Sequence, residues 1–232
     1  MPDISDYVFP PAAQASVPVA GSGARFPVHR IYCVGRNFAE HAREMGAPVE
    51  RGTPVFFAKP ADAAVPGHRV PYPSATQDLH HEVELVVALG RDADGVVSAA
   101  DATSLVFGYS VGLDLTRRDL QAQAKDKRLP WDTAKGFDAS APIAPIVPAA
   151  EAGDVGVRRL WLEVNGELRQ QAPLSDMIFG VADVLHALSG LYALRAGDLV
   201  FMGTPAGVAA LQRGDRFRAG IDGLATLEGE IT

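Results

Sequence analysis

Residues 80–87, His-His-Glu-Val-Glu-Leu-Val-Val, constrain what this chain can fold into more than any other stretch. A β-branched run, followed by Ala88-Leu89-Gly90 and a polar Asp/Gly turn, marks a strand. Side chains alternate across a strand, so Glu82 and Glu84 share one face, about 7 Å apart, while Val83, Leu85 and Val87 share the other. The glutamate face continues as Val86 and Ala88, which brings both carboxylates up to an apolar surface. Like charges in such a place repel, so one must protonate, pair with Lys or Arg, or share a cation. Ligands that offer only oxygen suit Mg²⁺, Mn²⁺ or Ca²⁺ and not zinc. An isolated Glu-x-Glu is also what an exposed edge strand with two solvated glutamates looks like, and spacing alone leaves both readings open.

The rest of the chain narrows the setting. At 232 residues it can bury a real core, and 47% hydrophobic with 21% charged residues is an ordinary globular composition. A net charge of −7 argues against nucleic acid or an anionic membrane as partner. No window approaches a membrane span, and the N-terminus, with Asp3 and Asp6, lacks a signal-peptide pattern. Cys33 is the single cysteine, so no internal disulfide can form and a reducing, cytoplasmic home is expected. It reads as a small buried residue. His80, His81 and His186 read as hydrogen-bonded or surface residues, since imidazole suits softer ions than an oxygen-rich cluster selects.

In chain order, residues 1–25 are rich in Pro, Ala, Ser and Gly and read as an N-terminal arm or loose hairpin; residues 26–232 form one domain. Residues 28–34 are a strand candidate. Asn37 is placed to cap a short helix with Glu40 three residues on and Gly46 as its stop. That helix sets His41 and Glu44 at i, i+3, where a carboxylate can hold an imidazole in the tautomer that takes a proton from water; a solvated surface helix has the same spacing. Residues 55–60 form a second strand candidate, with Lys59 at its end, where facing a site and plain exposure are both open. A short helix over 100–106 precedes a strand over 107–113 that stops at Asp114. Thr116, with Asp119, is expected to cap a helix to about Lys127 that presents Arg118 and Gln121 on one face. Trp131 and Lys135 fall in a Pro/Gly-bounded loop. Asn165-Gly166 joins two strands by a type I′ turn. Val181, Val184, Leu185, Leu188, Leu191 and Tyr192 recur at helical spacing, implying one amphipathic helix that runs on past Gly190. A strand over 199–202 empties into Gly203-Thr204-Pro205-Ala206-Gly207, a loop whose backbone amides and hydroxyl could approach a ligand.

Taken in order, Gly35-Arg36-Asn37 with His41-x-x-Glu44, Glu82-x-Glu84, Asp114-Leu-Thr-Arg-Arg118-Asp, Leu129-Pro-Trp…Lys135 and Gly203-Thr-Pro-x-Gly207 resemble the fumarylacetoacetate hydrolase family, from about Phe26 to the end. Residues 78–87 and 131–138 resemble its bacterial fumarylpyruvate hydrolases. The resemblance implies a mixed, mainly β fold, a β-roll or sandwich with a few peripheral helices, in a homodimer. It implies Mg²⁺ or Mn²⁺ (with Ca²⁺ a possible substitute in crystals) held by Glu82, Glu84 and Asp114, with His41, Glu44 and Lys135 catalytic. Arg118, Gln121, Gly203 and Thr204 would bind a small dioxo-acid substrate. The implied reaction is hydrolysis of the C–C bond of a 2,4-dioxo acid, foremost fumarylpyruvate to fumarate and pyruvate in gentisate-type aromatic catabolism. Oxaloacetate decarboxylation, another acylpyruvate hydrolysis and an isomerase/decarboxylase of aromatic catabolism share the motifs. From a different class, a non-catalytic β-sandwich binding module would use the ion only for stability.

Overall fold

The computed structural model describes residues 7–44, 46 and 52–232. Its spine is the strand Val83–Leu89, buried along its whole length. Both faces are covered because its two rows of side chains enter two different cores. Val83, Leu85, Val87 and Leu89 pack with Leu160, Leu162, Phe217 and Ile221, whereas Val86 and Ala88 pack with Ile31, Cys33, Leu199 and Phe201. The alternation anticipated from the sequence is thus real, but neither face is left to solvent.

Val83–Leu89 is central in a six-stranded mixed sheet, ordered Val147–Pro148, Val106–Leu113, Val83–Leu89, Leu199–Phe201, Ile31–Val34, Phe56–Lys59. Leu199–Phe201 runs parallel to Ile31–Val34, and the other pairings are antiparallel. A five-stranded sheet, ordered Glu167–Pro173, Arg159–Val164, Arg216–Ile221, Ala225–Ile231, Arg69–Val70, faces it across the first core. The turn at Asn165-Gly166 has φ of 53° and 80°, the left-handed pair that a type I′ hairpin needs. Short helices lie at the periphery, so the architecture is mixed and mainly β, as expected. Ahead of Phe26, Ser16–Pro18 pairs with Arg25–Pro27, and Val17 and Val19 reach the second core beside Val28.

Four local expectations are corrected. Asn37 does not cap the helix Ala39–Glu44; its buried amide donates to Phe179 O (3.0 Å) and Met202 O (2.7 Å) and accepts from Phe179 N (2.7 Å), tying three segments together. Thr116 does not cap Arg118–Asp126, because Thr116–Arg117 pairs as a bridge strand with Leu79–His80 and the helix starts without a side-chain cap. Asp119 instead accepts from the Thr76 hydroxyl and the Gln77 amide. Lys135 lies in a one-turn helix, Asp132–Lys135, and not in open loop. The helix Val181–Ser189 ends at Gly190, leaving Leu191 and Tyr192 exposed, so only its first four apolar positions belong to a helical stripe. Of the expected helix stop, Gly46 has φ +65°, while Met45 lies outside the described residues.

Candidate metal site

The third carboxylate follows from strand register. Val83 pairs with Leu113 and Glu84 with Gly112 in the antiparallel ladder, and Asp114 N donates to Glu82 O at 2.8 Å. Residues directly opposite in such a ladder share a face, so Asp114 joins the glutamates. The position opposite Glu84 is a glycine whose added Cβ would sit 2.8 Å from the Phe201 ring. Glu82, Glu84 and Asp114 are 5%, 1% and 0% exposed, and each offers an oxygen within 4.8 Å of the others. These are buried carboxylates, not a solvated edge.

Three cations meet them. Lys135 Nζ donates to Glu82 Oε2 (2.7 Å), Asp114 Oδ2 (2.6 Å) and Thr116 Oγ1 (2.7 Å). Arg118 pairs with Glu82 and holds the Gln121 carbonyl oxygen. Lys59 Nζ lies 2.8 Å from Asp114 Oδ1, but its hydrogen bonds go to the carbonyls of Leu115 and Lys135, so that carboxylate oxygen is buried without a hydrogen bond. Burial pushes the Glu82 carboxyl up, yet Lys135 and Arg118 outweigh it and hold the group well below the usual carboxylate range. Glu84 goes the other way: burial first, then the Asp114 and Glu82 charges, raise it well above that range, against the opposing Gly203 amide, which donates at 2.7 Å. Burial lowers the Lys135 ammonium, but Asp114 and Glu82 raise it further, so it stays charged.

His41 and Glu44 meet as expected from their spacing, with Nδ1 and Oε2 3.1 Å apart; Gly207 N anchors the other carboxylate oxygen at 3.1 Å. A carboxylate on Nδ1 selects the tautomer whose Nε2 lone pair is free to accept a proton. His41, Glu82, Arg118, Gln121 and Lys135 line one cavity of about 20 Å³, room for about one water. Of the two donors expected from the 203–207 loop, Gly203 N–H is spent on Glu84, whereas the Thr204 hydroxyl accepts from Gln170 at 2.8 Å and keeps its own proton to donate. Gly203 has φ +91°, and a Cβ there would fall 2.7 Å from Asn37 Cβ, which accounts for glycine at this turn.

Asn37 and Gln170 escaped the sequence reading as parts of this site. Lys59, left open there between a site residue and an exposed strand end, is buried against Asp114. Gln170 Oε1 receives both His81 Nδ1 (2.9 Å) and Val83 N (3.1 Å), fixing the start of the glutamate strand, yet nothing local distinguishes it in a hairpin. The histidines take ordinary partners: His80 with Asp78 and Arg118, His186 with Val97 O.

The family model for the fumarylacetoacetate hydrolase C-terminal region matches residues 30–232. The chain belongs to the fumarylacetoacetate hydrolase family. Among solved family structures, fumarylpyruvate hydrolase from Pseudomonas aeruginosa, in complex with Mn²⁺ and pyruvate, is 45% identical with a TM-score of 0.94, over 97% of this chain and 99% of that one. A candidate fumarylpyruvate hydrolase from Burkholderia cenocepacia is 53% identical with a TM-score of 0.91, over 97% and 94%. Among curated family members, the mitochondrial oxaloacetate tautomerase FAHD1 of Rattus norvegicus is 45% identical, over 87% of this chain and 90% of the relative.

The residues present fit a divalent ion. The donor set is all oxygen, Asp114 Oδ1 lacks a hydrogen bond, and Glu84 is left against two other acids with one amide donor. A pH dependence follows. A carboxyl with a raised folded-state pKa stabilises the ion-free fold at low pH and loses that contribution as pH rises through the folded value. The rise in melting temperature on adding Mn²⁺ is therefore expected to grow as pH rises above the ordinary carboxylate range, because binding requires the ionised Glu84. Thermal melts over that rise in pH check it; a shift independent of pH would contradict the assignment of Glu84.

Proposed function

We propose that the protein is a metal-dependent hydrolase that cleaves the C–C bond of a 2,4-dioxo acid, with fumarylpyruvate, giving fumarate and pyruvate, as its substrate. The observation that carries this reading is the buried cluster of Glu82, Glu84 and Asp114, whose Glu82 shares a cavity with a carboxylate-oriented imidazole. The same metal, with pyruvate, is present in the Pseudomonas aeruginosa relative. Glu82, Glu84 and Asp114 would hold Mg²⁺ or Mn²⁺, which as a Lewis acid supplies stabilisation of negative charge on a substrate oxygen.

His41 Nε2 takes a proton from water, and the hydroxide oxygen forms a bond to the distal 4-carbonyl carbon. Glu44 holds the imidazolium that results. The tetrahedral carbon then releases the carboxylic acid product as its bond to the methylene carbon breaks, the electron pair leaving as the enolate of pyruvate. His41 returns its proton to that carbon, which closes the balance. Lys135, kept charged by its two acids, faces the cavity and lowers the energy of the developing anion, and Arg118 with Gln121 forms a polar wall beside it.

A second reading is enol–keto conversion of oxaloacetate, supported by the 45% identity to the rat tautomerase. It uses the same enolate and an acid–base group but consumes no water. A panel of fumarylpyruvate, acetylpyruvate and enol-oxaloacetate, followed spectroscopically with product identification, separates them. The proposal expects fumarate and pyruvate in equal amounts with the highest kcat/KM for fumarylpyruvate; turnover of oxaloacetate alone would replace it with the second reading.

A further inference from the structure

We infer that Arg36 and Lys125 form a receptor for a second carboxylate at the far end of the substrate, so that the site selects dianionic over monoanionic oxo acids. The inference rests on the function proposed above and specifies the substrate class of the same site. Both residues line the cavity that holds His41, Glu82 and Lys135.

The charges make the case. Around the triad, Lys59, Lys135 and Arg118 already pair with Asp114 and Glu82, while Glu84 has no cationic partner among the described residues. A bound divalent ion then adds two positive charges, so cationic charge exceeds anionic charge even with Glu84 ionised and Glu44 counted. Arg36 and Lys125 add two more, in a chain whose net charge is −7. Neither side chain has a hydrogen-bond or ion-pair partner among the described residues; the Lys125 ammonium merely lies 5.5 Å from the centre of the Trp131 ring. By contrast, Arg159, Arg195 and Arg218 on the open surface each pair with an acid. Two unneutralised cations held at one cavity repel each other and remain together at a cost that an anionic ligand removes. A guanidinium beside an ammonium is the donor set that binds a carboxylate.

The competing arrangement is an uncharged acyl tail in the adjoining cavity of about 320 Å³, lined by Val55, Phe57, Leu129 and Trp131. That apolar pocket would favour acylpyruvates without a distal charge.

The test compares kcat/KM of the Mn²⁺-loaded protein for fumarylpyruvate and for acetylpyruvate in wild type, Arg36→Gln, Lys125→Gln and Arg36→Lys. The diacid-to-monoacid ratio is expected to fall about 10- to 100-fold in Arg36→Gln, largely through KM, with partial recovery in Arg36→Lys. Equal losses on both substrates, or a wild type that favours acetylpyruvate, would overturn the assignment. Isothermal titration with 2-oxopimelate and 2-oxoheptanoate, which differ by a carboxylate in place of a methyl group, decides the matter without turnover. Tighter binding of the diacid that disappears in Arg36→Gln upholds the receptor even if no acylpyruvate is hydrolysed, in which case only the proposed reaction fails. Indistinguishable binding of the two acids by wild type rejects the receptor.

Discussion

Glu82→Ala is expected to abolish both Mn²⁺ binding and turnover. Glu82 is one of the three carboxylates proposed to hold the ion, and it also pairs with two cations: Lys135 at 2.7 Å and Arg118. Without it, an ammonium and a guanidinium face each other across a cavity with room for about one water. Removing one partner of a buried ion pair costs about 3–5 kcal/mol, so the alanine protein should also melt earlier. Glu82→Gln keeps the shape and one acceptor oxygen, which separates loss of charge from loss of fold. In that variant Mn²⁺ titration should show affinity lowered by about 100-fold or more with a cooperative melt retained. Wild-type affinity in Glu82→Gln would place the ion elsewhere.

His41→Ala tests the other half of the site. His41 is no neighbour of the ion's carboxylates in sequence; it arrives on a separate helix and is oriented by Glu44, itself held by Gly207 N. Loss of a general base lowers kcat by about 10²- to 10⁴-fold, whereas the oxygen donors are untouched and Mn²⁺ affinity should stay within a few-fold of wild type. Glu44→Gln should fall between the two, because the amide can still accept from Nδ1–H but no longer balances the imidazolium charge. Rapid-quench turnover and metal titration on the same preparations read both quantities. Full activity in His41→Ala would remove the imidazole from the reaction.

How far such a site is legible in advance depends on what kind of interaction builds each part. The glutamate strand was readable because alternation is local: Glu82, Glu84, Val86 and Ala88 form one row whatever surrounds them. That Asp114 joins them depends on register, and the sequence hinted at it only through a strand ending in an acid. His41 and Glu44 are a local i, i+3 pair, so their meeting was also within reach. The misassigned residues are those whose chemistry serves two purposes. Asn and Thr cap helices because a short polar side chain reaches backbone groups, and the same reach lets Asn37 staple Phe179 and Met202, and lets Thr116 accept from Lys135. Local spacing cannot choose between these uses. Leu191 and Tyr192 fit a helical period by coincidence, since the chain had already turned at Gly190. Lys59 stands in the sequence between a site residue and an exposed strand end until the fold buries its ammonium against Asp114, and the Gly203 amide gives no sign in sequence that Glu84 will claim it.

The family supplies the frame, and the geometry of this chain decides how charge is distributed within it. In the ion-free fold Lys59, Lys135 and Arg118 pair with Asp114 and Glu82, while Glu84 has no cationic partner among the described residues and is held far from its usual ionisation. Adding a divalent ion shifts the charge balance toward an anionic substrate.

Fumarylpyruvate hydrolysis measured while Mn²⁺ is titrated back into chelator-stripped protein bears most directly on this account. Release of fumarate and pyruvate in equal amounts should be absent at the start and rise to a plateau at one ion per chain. Unchanged hydrolysis in the stripped protein, or a full complement of Mn²⁺ that yields neither product, would contradict it.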